Sequence, residues 1–281
     1  MPMPDAPTTS LIVSTYNWPR ALQLVLQSVL AQRELPRQLV IADDGSGDET
    51  RTLIAGFATR FADRGVPLEH VWHEDRGFRK ARILNRAIAA ATGDYILSID
   101  GDCVLHPDFV RSHLRFARPR SFVAGSRTLV LEEATRDALA RGALRAGPLA
   151  PGLKNRQNAL SLPWLSRFVR TRQDPMAPTR GCNVAYWRAD AIRVNGYDEA
   201  FEGWGREDSE FGARLLASGC EKRKLKFAGV CYHLHHPYQP SDAVDAQQRA
   251  YERAVAERRT WCERGLAQHL APRDAAERVP A

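Results

Sequence analysis

The sequence predicts an α/β fold with a mostly parallel central sheet flanked by helices, followed by a mixed C-terminal part. Three observations lead there. The first 130 residues alternate short β-branched runs with amphipathic stretches. The short runs are apolar throughout, as in strands covered on both faces. Each of the best-defined runs also ends in a polar cluster, and open parallel sheets bind ligands beyond the carboxyl ends of their strands.

Leu11-Ile12-Val13 opens the series and runs into Ser14-Thr15-Tyr16-Asn17. Residues 20–33 follow as a helix, with Leu22, Val25, Leu26, Val29 and Leu30 recurring at helical spacing. Leu39-Val40-Ile41-Ala42 is the second strand and closes on Asp43-Asp44-Gly45-Ser46. The next helix starts near Asp48, a residue type suited to its N-cap. Residues 68–72 form a third strand, 80–91 a helix and 95–99 a fourth strand. Residues 131–180 lose the alternation and carry Pro148, Pro151, Pro163, Pro175 and Pro178, so they read as an irregular, partly helical insertion. Residues 181–236 return to mixed structure, and 240–270 read as a polar helix packing across the domain. Three parts result: 8–130, 131–240 and 241–281.

A chain of 281 residues, 44% hydrophobic and 26% charged, is long enough for a sizeable core. No apolar run reaches the roughly 20 residues that span a bilayer. The start, MPMPDAPTTS, lacks a basic and an apolar signal region, so no signal peptide is expected. Five cysteines without a CxxC pair argue for a reducing compartment, hence the cytoplasm. Of the net charge of +7, a large share gathers in 132–180, where nine Lys/Arg face four acids. Such a segment suits an anionic acceptor or the inner membrane face, or is a solvated face; no nucleic-acid-binding signature accompanies it.

Asp100 and Asp102, separated only by Gly101, follow the fourth strand directly. Two carboxylates so close repel, and a divalent cation would relieve them because hard cations take oxygen ligands. A polar turn would also account for Asp and Gly there. The sheet favours the cation. Asn17, Asp44 and Asp102 each follow a separate apolar strand, so the fold gathers them at one edge.

The ordered pieces VSTYN (13–17), ADDGS (42–46), GFRKARILNRAI (77–88), SIDGD (98–102), RGCNVAYWR (180–188), GYDEAFEGWGREDSEF (196–211) and CYHLHHP (231–237) make the chain resemble family 2 inverting glycosyltransferases of the GT-A fold. Its later part is similar to the galactosyltransferase-like region of β1,4-galactosyltransferases and bacterial chondroitin polymerases. The resemblance implies a Rossmann-like nucleotide-sugar-binding part in 8–130, an acceptor-binding and catalytic part in 131–240, and a helical tail. It implies that Thr15, Tyr16, Asn17 and Asp44 hold uridine, and that Arg79, Lys80 and Asn85 contact the nucleotide. Asp100 and Asp102 match its DxD motif, with Asp102 the more direct ligand of Mn²⁺ or Mg²⁺ and His233, rather than His235 or His236, the third ligand. Gly181, Cys182 and Asn183 would line the donor sugar, though Cys182 equally suits the core, and Trp204 would pack on a sugar ring. Asp208 would be the general base, with Glu207 binding sugar hydroxyls. The expected reaction moves a hexose or N-acetylhexosamine from a UDP-sugar to a glycan or glycolipid acceptor in surface polysaccharide or lipopolysaccharide synthesis, with peripheral contact at the inner membrane.

Each residue has a plainer reading too. Arg79 and Lys80 suit a solvated first turn, Glu207 and Asp208 a helix N-terminus that favours carboxylates, and the histidines with Cys231 an irregular zinc site. Asp100-Gly101-Asp102-Cys103-Val104 also fits the haloacid-dehalogenase-like phosphatase pattern. A binding module without turnover is the remaining alternative.

Overall fold

The structure, a computed structural model, describes residues 7–237 and 244–270. A seven-stranded sheet forms its centre. In chain order its strands are β1 (Thr9–Thr15), β2 (Gln38–Asp43), β3 (Leu68–Trp72), β4 (Tyr95–Asp100), β6 (Ser121–Gly125), β9 (Val184–Trp187) and β10 (Glu221–Leu225). They lie side by side in the order β10-β6-β9-β4-β1-β2-β3. All neighbours pair in parallel except β9, which runs antiparallel to both β4 and β6. A second sheet of four short strands, β5 (Cys103–Leu105), β11 (Cys231–His233), β7 (Thr128–Val130) and β8 (Leu153–Lys154), adjoins the end of β4.

Each face of the large sheet is covered. Leu11, Val13, Leu39 and Ile41 pack against α1 (Pro19–Leu30) and α2 (Asp48–Ala62). Ile12, Val40 and Ala42, the alternate residues, pack against α3 (Lys80–Ala90), α6 (Arg188–Arg193) and α7 (Glu207–Ala217). Side chains of a strand alternate between faces, so a strand clad on both sides is apolar at most positions, and its few buried polar residues need partners, as Ser10 finds in Gln38. Each Leu or Ile so buried contributes about 1.5–3 kcal/mol. Three more helices, α4 (Phe109–Phe116), α5 (Glu132–Arg141) and α8 (Val244–Ala256), complete the fold.

α1 starts with Pro19 in its first turn, where a missing N–H costs nothing. It ends at Leu30, short of the expected 33. α2 begins one residue differently from the expectation: Gly47 is the N-cap, and Asp48 lies in the first turn, where the helix dipole favours its charge. The expected long C-terminal helix stops at Ala256. Arg258 adopts φ +50, which an α-helix does not accommodate. The chain beyond is tied to Asn195: its side chain donates to Cys262 O at 2.7 Å, and its carbonyl accepts from Leu266 N at 2.8 Å. The first positions of the expected span, 240–243, lie outside the described residues.

The insertion at 131–180 contains α5, the two-residue β8 and two short 3₁₀ turns. The central sheet takes β9 and β10 from beyond it, so the 8–130 and 131–240 parts share one sheet.

Candidate active site

The parallel register brings three strand ends together: Thr15 lies opposite Asp43, and Ser14 opposite Asp100. Asp43 is spent on structure, its carboxylate accepting from His70 Nε2 at 2.9 Å and Ser46 N at 2.8 Å. Asp44 points elsewhere. His73 Nε2 donates to its Oδ1 at 2.6 Å, and Arg79 N donates to its Oδ2 at 2.9 Å. Its own N–H donates to Thr15 O at 3.0 Å. Beside it Gly45 has φ +101, and a Cβ there would sit 2.6 Å from Asp75 Cα, so only glycine fits. Tyr16, half exposed, donates to Asp75 Oδ2 at 2.8 Å. Asn17 Oδ1 accepts from Gly47 N at 3.0 Å, pinning the start of α2.

Gly101 lets the chain turn tightly against β1. Its N–H donates to Ser14 O at 2.6 Å, and a Cβ would press to 2.9 Å from that same oxygen. The turn sends the two aspartates to different partners. Asp100 Oδ1 accepts from Lys80 Nζ at 2.7 Å and Ser14 Oγ at 2.9 Å. Burial opposes its charge most, but Lys80, with His233 and Ser14 adding, holds Asp100 below the usual carboxylate range. Lys80 is likewise held above its usual value: burial works against it, and Asp100, Asp208 and Glu207 more than compensate.

Asp102 meets the small sheet. β11 pairs antiparallel with β5, with His233 opposite Cys103, and Leu234 N donates to Asp102 O at 2.9 Å. His233 Nε2 then lies 3.6 Å from Asp102 Oδ1, and His236 Nε2 lies 3.6 Å from Oδ2. Asp102, Cys103 and His233 offer ligand atoms that all lie within 4.8 Å of one another. Carboxylate and imidazole donors fit Mn²⁺ well and Mg²⁺ less well. Burial pushes the Cys103 thiol well above its ordinary value, so it stays protonated and suits a hard cation poorly. Burial also raises Asp102 and lowers His233. Both shifts disfavour charge in the metal-free pair.

The third part of the cleft is the first turn of α7. Asp208 Oδ2 accepts from Gly181 N at 2.7 Å, and any side chain at 181 would collide with that carboxylate. Asp208 Oδ1 and Glu207 Oε2 are buried with no hydrogen-bond partner among the described residues. Burial, then the neighbouring Asp208, pushes Glu207 up to about 7. Asp208 is raised by burial, with Lys80 opposing and Asp100 adding to the rise. Trp204, 45% exposed, stands on the loop before these acids.

The family model for glycosyl transferase family 2 matches residues 10–189. The chain belongs to glycosyl transferase family 2. A second model, described as the N-terminal domain of galactosyltransferase, matches residues 169–237 of this glycosyltransferase. The chondroitin synthase of Pasteurella multocida is 28% identical over 246 residues, 81% of this chain and 25% of that protein. The chain thus spans a quarter of that relative, and 35% and 51% of the next two curated relatives. Among solved structures, the Pyrobaculum calidifontis mannosyltransferase in complex with GDP-Man and Mn²⁺ superposes with a TM-score of 0.56 at 20% identity, over 96% of this chain and 72% of that one. S. aureus TarS 1-349 in complex with UDP-GlcNAc gives 0.62 at 14% identity, over 96% and 71%. These likenesses establish the GT-A fold.

In this family 2 glycosyltransferase, Thr15, Tyr16, Asn17, Asp44, Arg79, Lys80, Asp100, Asp102, Gly181, Glu207, Asp208 and His233 are brought around the strand ends. Three expected donor-site residues, Asn85, Asn183 and Cys182, are not. Asn85 is wholly buried, donating to Tyr197 O at 2.8 Å and Glu199 Oε1 at 3.0 Å and accepting from Tyr197 N at 2.8 Å. Asn183 donates to Ser126 O and Gly229 O at 2.8 and 2.9 Å and accepts from His113 at 3.0 Å. Both clamp loops and present no free polar atom to the cleft. Cys182 is buried beside Arg127 and is a core residue. Lys80 is an acid's partner here rather than a free cation.

Sequence reasoning missed two contributors, His73 and Gln247, and ranked a third, His236, below His233. His73 steadies Asp44, and its distance from the ADDGS stretch hid it. His236 approaches Asp102 as closely as His233 does. Gln247 of α8 holds the Trp204 loop, donating to Glu202 O at 2.6 Å and accepting from Arg206 N at 3.1 Å. A glutamine inside a polar helix carries no signal of that role. The phosphatase alternative required Asp100 as nucleophile, but Lys80 and Ser14 engage it, and the family assignment displaces that reading.

Proposed function

We propose that this chain is an inverting glycosyltransferase that moves a hexose or N-acetylhexosamine from a UDP-sugar to a glycan or glycolipid acceptor, at a peripheral site on the inner membrane face. The observation that carries the reading is the meeting of Lys80, Asp100, Glu207 and Asp208 at one sheet edge beside Asp102 and His233. Asp102 and His233 would hold Mn²⁺, with His236 as a further candidate. When bound, the cation supplies Lewis-acid stabilisation to the departing diphosphate. Asp44, Tyr16 and Thr15 would face the uridine, with Arg79 at the edge of that pocket.

Asp208 is the base in this reading. Gly181 N orients one carboxylate oxygen and leaves the other unpartnered. That oxygen takes the proton of the acceptor hydroxyl while the hydroxyl oxygen bonds to the anomeric carbon. The bond from that carbon to the diphosphate breaks on the opposite side, and UDP leaves with its electron pair. Glu207 would bind a sugar hydroxyl, and Trp204 would cover a sugar face.

The test is a nucleotide-sugar panel with Mn²⁺, read first by thermal shift and then by transfer to glycan acceptors. The panel includes both UDP- and GDP-sugars, since the two solved neighbours were captured with GDP-Man and UDP-GlcNAc. Stabilisation by a UDP-sugar and a product of inverted anomeric configuration support the reading. A GDP-sugar preference changes the donor, and a retained configuration removes Asp208 as base. UDP binding without transfer or hydrolysis would make the chain a binding module.

A further inference from the structure

A cavity of about 570 Å³ lies between α4, β10 and the short turn at 163–168, outside the cleft. Six arginines line it: Arg33, Arg111, Arg115, Arg118, Arg167 and Arg223. Asp108 is the one acid on its walls, and Arg33 pairs with it. Glu34 stands 4.0 Å from Arg111. Among the described residues, Arg115, Arg118, Arg167 and Arg223 have no carboxylate within ion-pair distance. Burial, then the closeness of Arg118, pulls the Arg223 guanidinium below its ordinary value. Like charges gathered in a concave site repel one another and favour an anionic occupant. α4 and β10 supply three of the six, and Arg33 and Arg118 also lie outside 132–180, so the basic site differs from the segment that the sequence suggested; only Arg167 belongs to both.

The surroundings of the cavity are apolar and open to solvent. Trp164 is 59% exposed, Phe168 64% and Leu162 39%, and Leu149 nearby in sequence is 90% exposed. Ser161 lines this cavity and also a second one of about 480 Å³, walled by Pro107, Pro148, Leu160, Leu162 and Tyr232. A cationic hollow thus abuts an apolar one. Successive residues of a strand face opposite sides. Tyr232 of β11 lines the second cavity while His233 meets Asp102, so that cavity and the Asp102 group lie on opposite faces of β11.

We propose that this face docks on an anionic lipid bilayer, with phosphate headgroups in the arginine-lined cavity and Trp164, Phe168 and Leu162 in the headgroup layer. Arginine forks match phosphate oxygens, and tryptophan favours the membrane–water interface. An acidic glycan would use the guanidiniums and Trp164 but leave Phe168, Leu162 and Leu149 unexplained. The inference assigns a surface to the membrane placement proposed above. Its measurement needs no donor, so failure of docking and failure of transfer are separately visible.

The experiment is co-sedimentation of the full chain with vesicles of phosphatidylcholine, with or without phosphatidylglycerol. Binding is expected only to the anionic vesicles, weakening with salt and with added inorganic phosphate. Replacing Arg115, Arg118 and Arg167 together by Gln should weaken it about 10²-fold. Trp164→Ser with Phe168→Ser should weaken it about tenfold or more. These exposed positions lie outside the cleft, so both variants should keep the wild-type melting temperature and transfer to a soluble acceptor. Equal binding to neutral vesicles overturns the proposal, as does full binding by the arginine variant. Arginine-dependent binding of a soluble acidic oligosaccharide without vesicle binding overturns it in favour of a glycan subsite.

Discussion

Asp100 and Asp102 at the end of β4 and Glu207 and Asp208 at the start of α7 serve one cleft, yet the fold treats their carboxylates differently. Asp100 is answered by Lys80 and Ser14, and Asp102 stands between two histidines. Glu207 and Asp208 each keep a buried oxygen with no partner among the described residues. A buried acid with a cationic neighbour stays ionised and acts as a fixed charge or a ligand. A buried acid without one gains proton affinity. The direct Lys80 contact holds Asp100 below the usual carboxylate range, whereas burial raises Asp102, Glu207 and Asp208. Under the proposed reaction Asp102 would hold the metal and Asp208 would take the proton, a division set by their neighbours.

The strongest way to break the comparison is to remove the ligand side. Asp102→Ala should abolish Mn²⁺-dependent UDP-sugar binding and lower transfer by about 10³-fold or more, since metal stabilisation of a leaving group is worth several kcal/mol. Isothermal titration with and without Mn²⁺ reads this directly, and full activity in excess chelator would remove the metal from the scheme. The base side comes next. Asp208→Asn keeps size and the Gly181 contact but cannot take a proton, so turnover should fall about 10²–10⁴-fold while donor and Mn²⁺ affinities stay near wild type. Wild-type turnover in Asp208→Asn would refute the assignment.

Much of this arrangement is legible in the sequence. The apolar runs of β1, β2 and β4 announce themselves because a strand clad on both faces buries apolar side chains in both directions, and their polar ends mark the site edge. Glu207 and Asp208 are legible through the glycine-flanked tryptophan before them. What escapes depends on pairing between distant segments. Nothing near Val184 says that β9 will run antiparallel between β4 and β6, or that β11 will lay His233 opposite Cys103. Asn85 resembles a nucleotide contact because it sits on the helix that follows Arg79 and Lys80. Its side chain instead faces Tyr197, 112 residues away, and one-dimensional spacing does not carry that fact.

A smaller effect separates the histidines beside Asp102. His233 is mostly buried on β11, whereas His236 is 46% exposed at the side chain. His233→Ala should cost about 10–100-fold in Mn²⁺ affinity, the range typical of a change in a metal's immediate surroundings. His236→Ala should cost less. His235→Ala should cost least, because His235 is anchored through its backbone N–H, which donates to Thr135 Oγ1 at 2.9 Å and survives the substitution. The readout is competition with a metal-binding dye. The reverse ranking of 233 and 236 would move the ligand to the exposed ring, and no effect at either would take histidine out of the site.

The gentlest test concerns the charge state of Glu207. Burial first, and the Asp208 charge second, raise it from 4.5 to about 7 in the folded protein, while the unfolded chain titrates near its ordinary value. Between those two values the folded state binds the extra proton, so this residue's contribution to stability falls as pH rises. Below about 4.5 both states are protonated and the penalty vanishes; above about 7 it is complete. A tenfold change in proton affinity is worth about 1.4 kcal/mol, which sets a ceiling of about 3 kcal/mol. Glu207→Gln cannot ionise, so its melting temperature should match wild type near pH 4.5, exceed it increasingly up to about pH 7 and then keep a constant lead. Asp100→Asn should go the other way at neutral pH, because it strips a charge that Lys80 needs. If Glu207→Gln and wild type stay parallel across that window, Glu207 is ionised throughout, and the two acid pairs differ less than their surroundings imply.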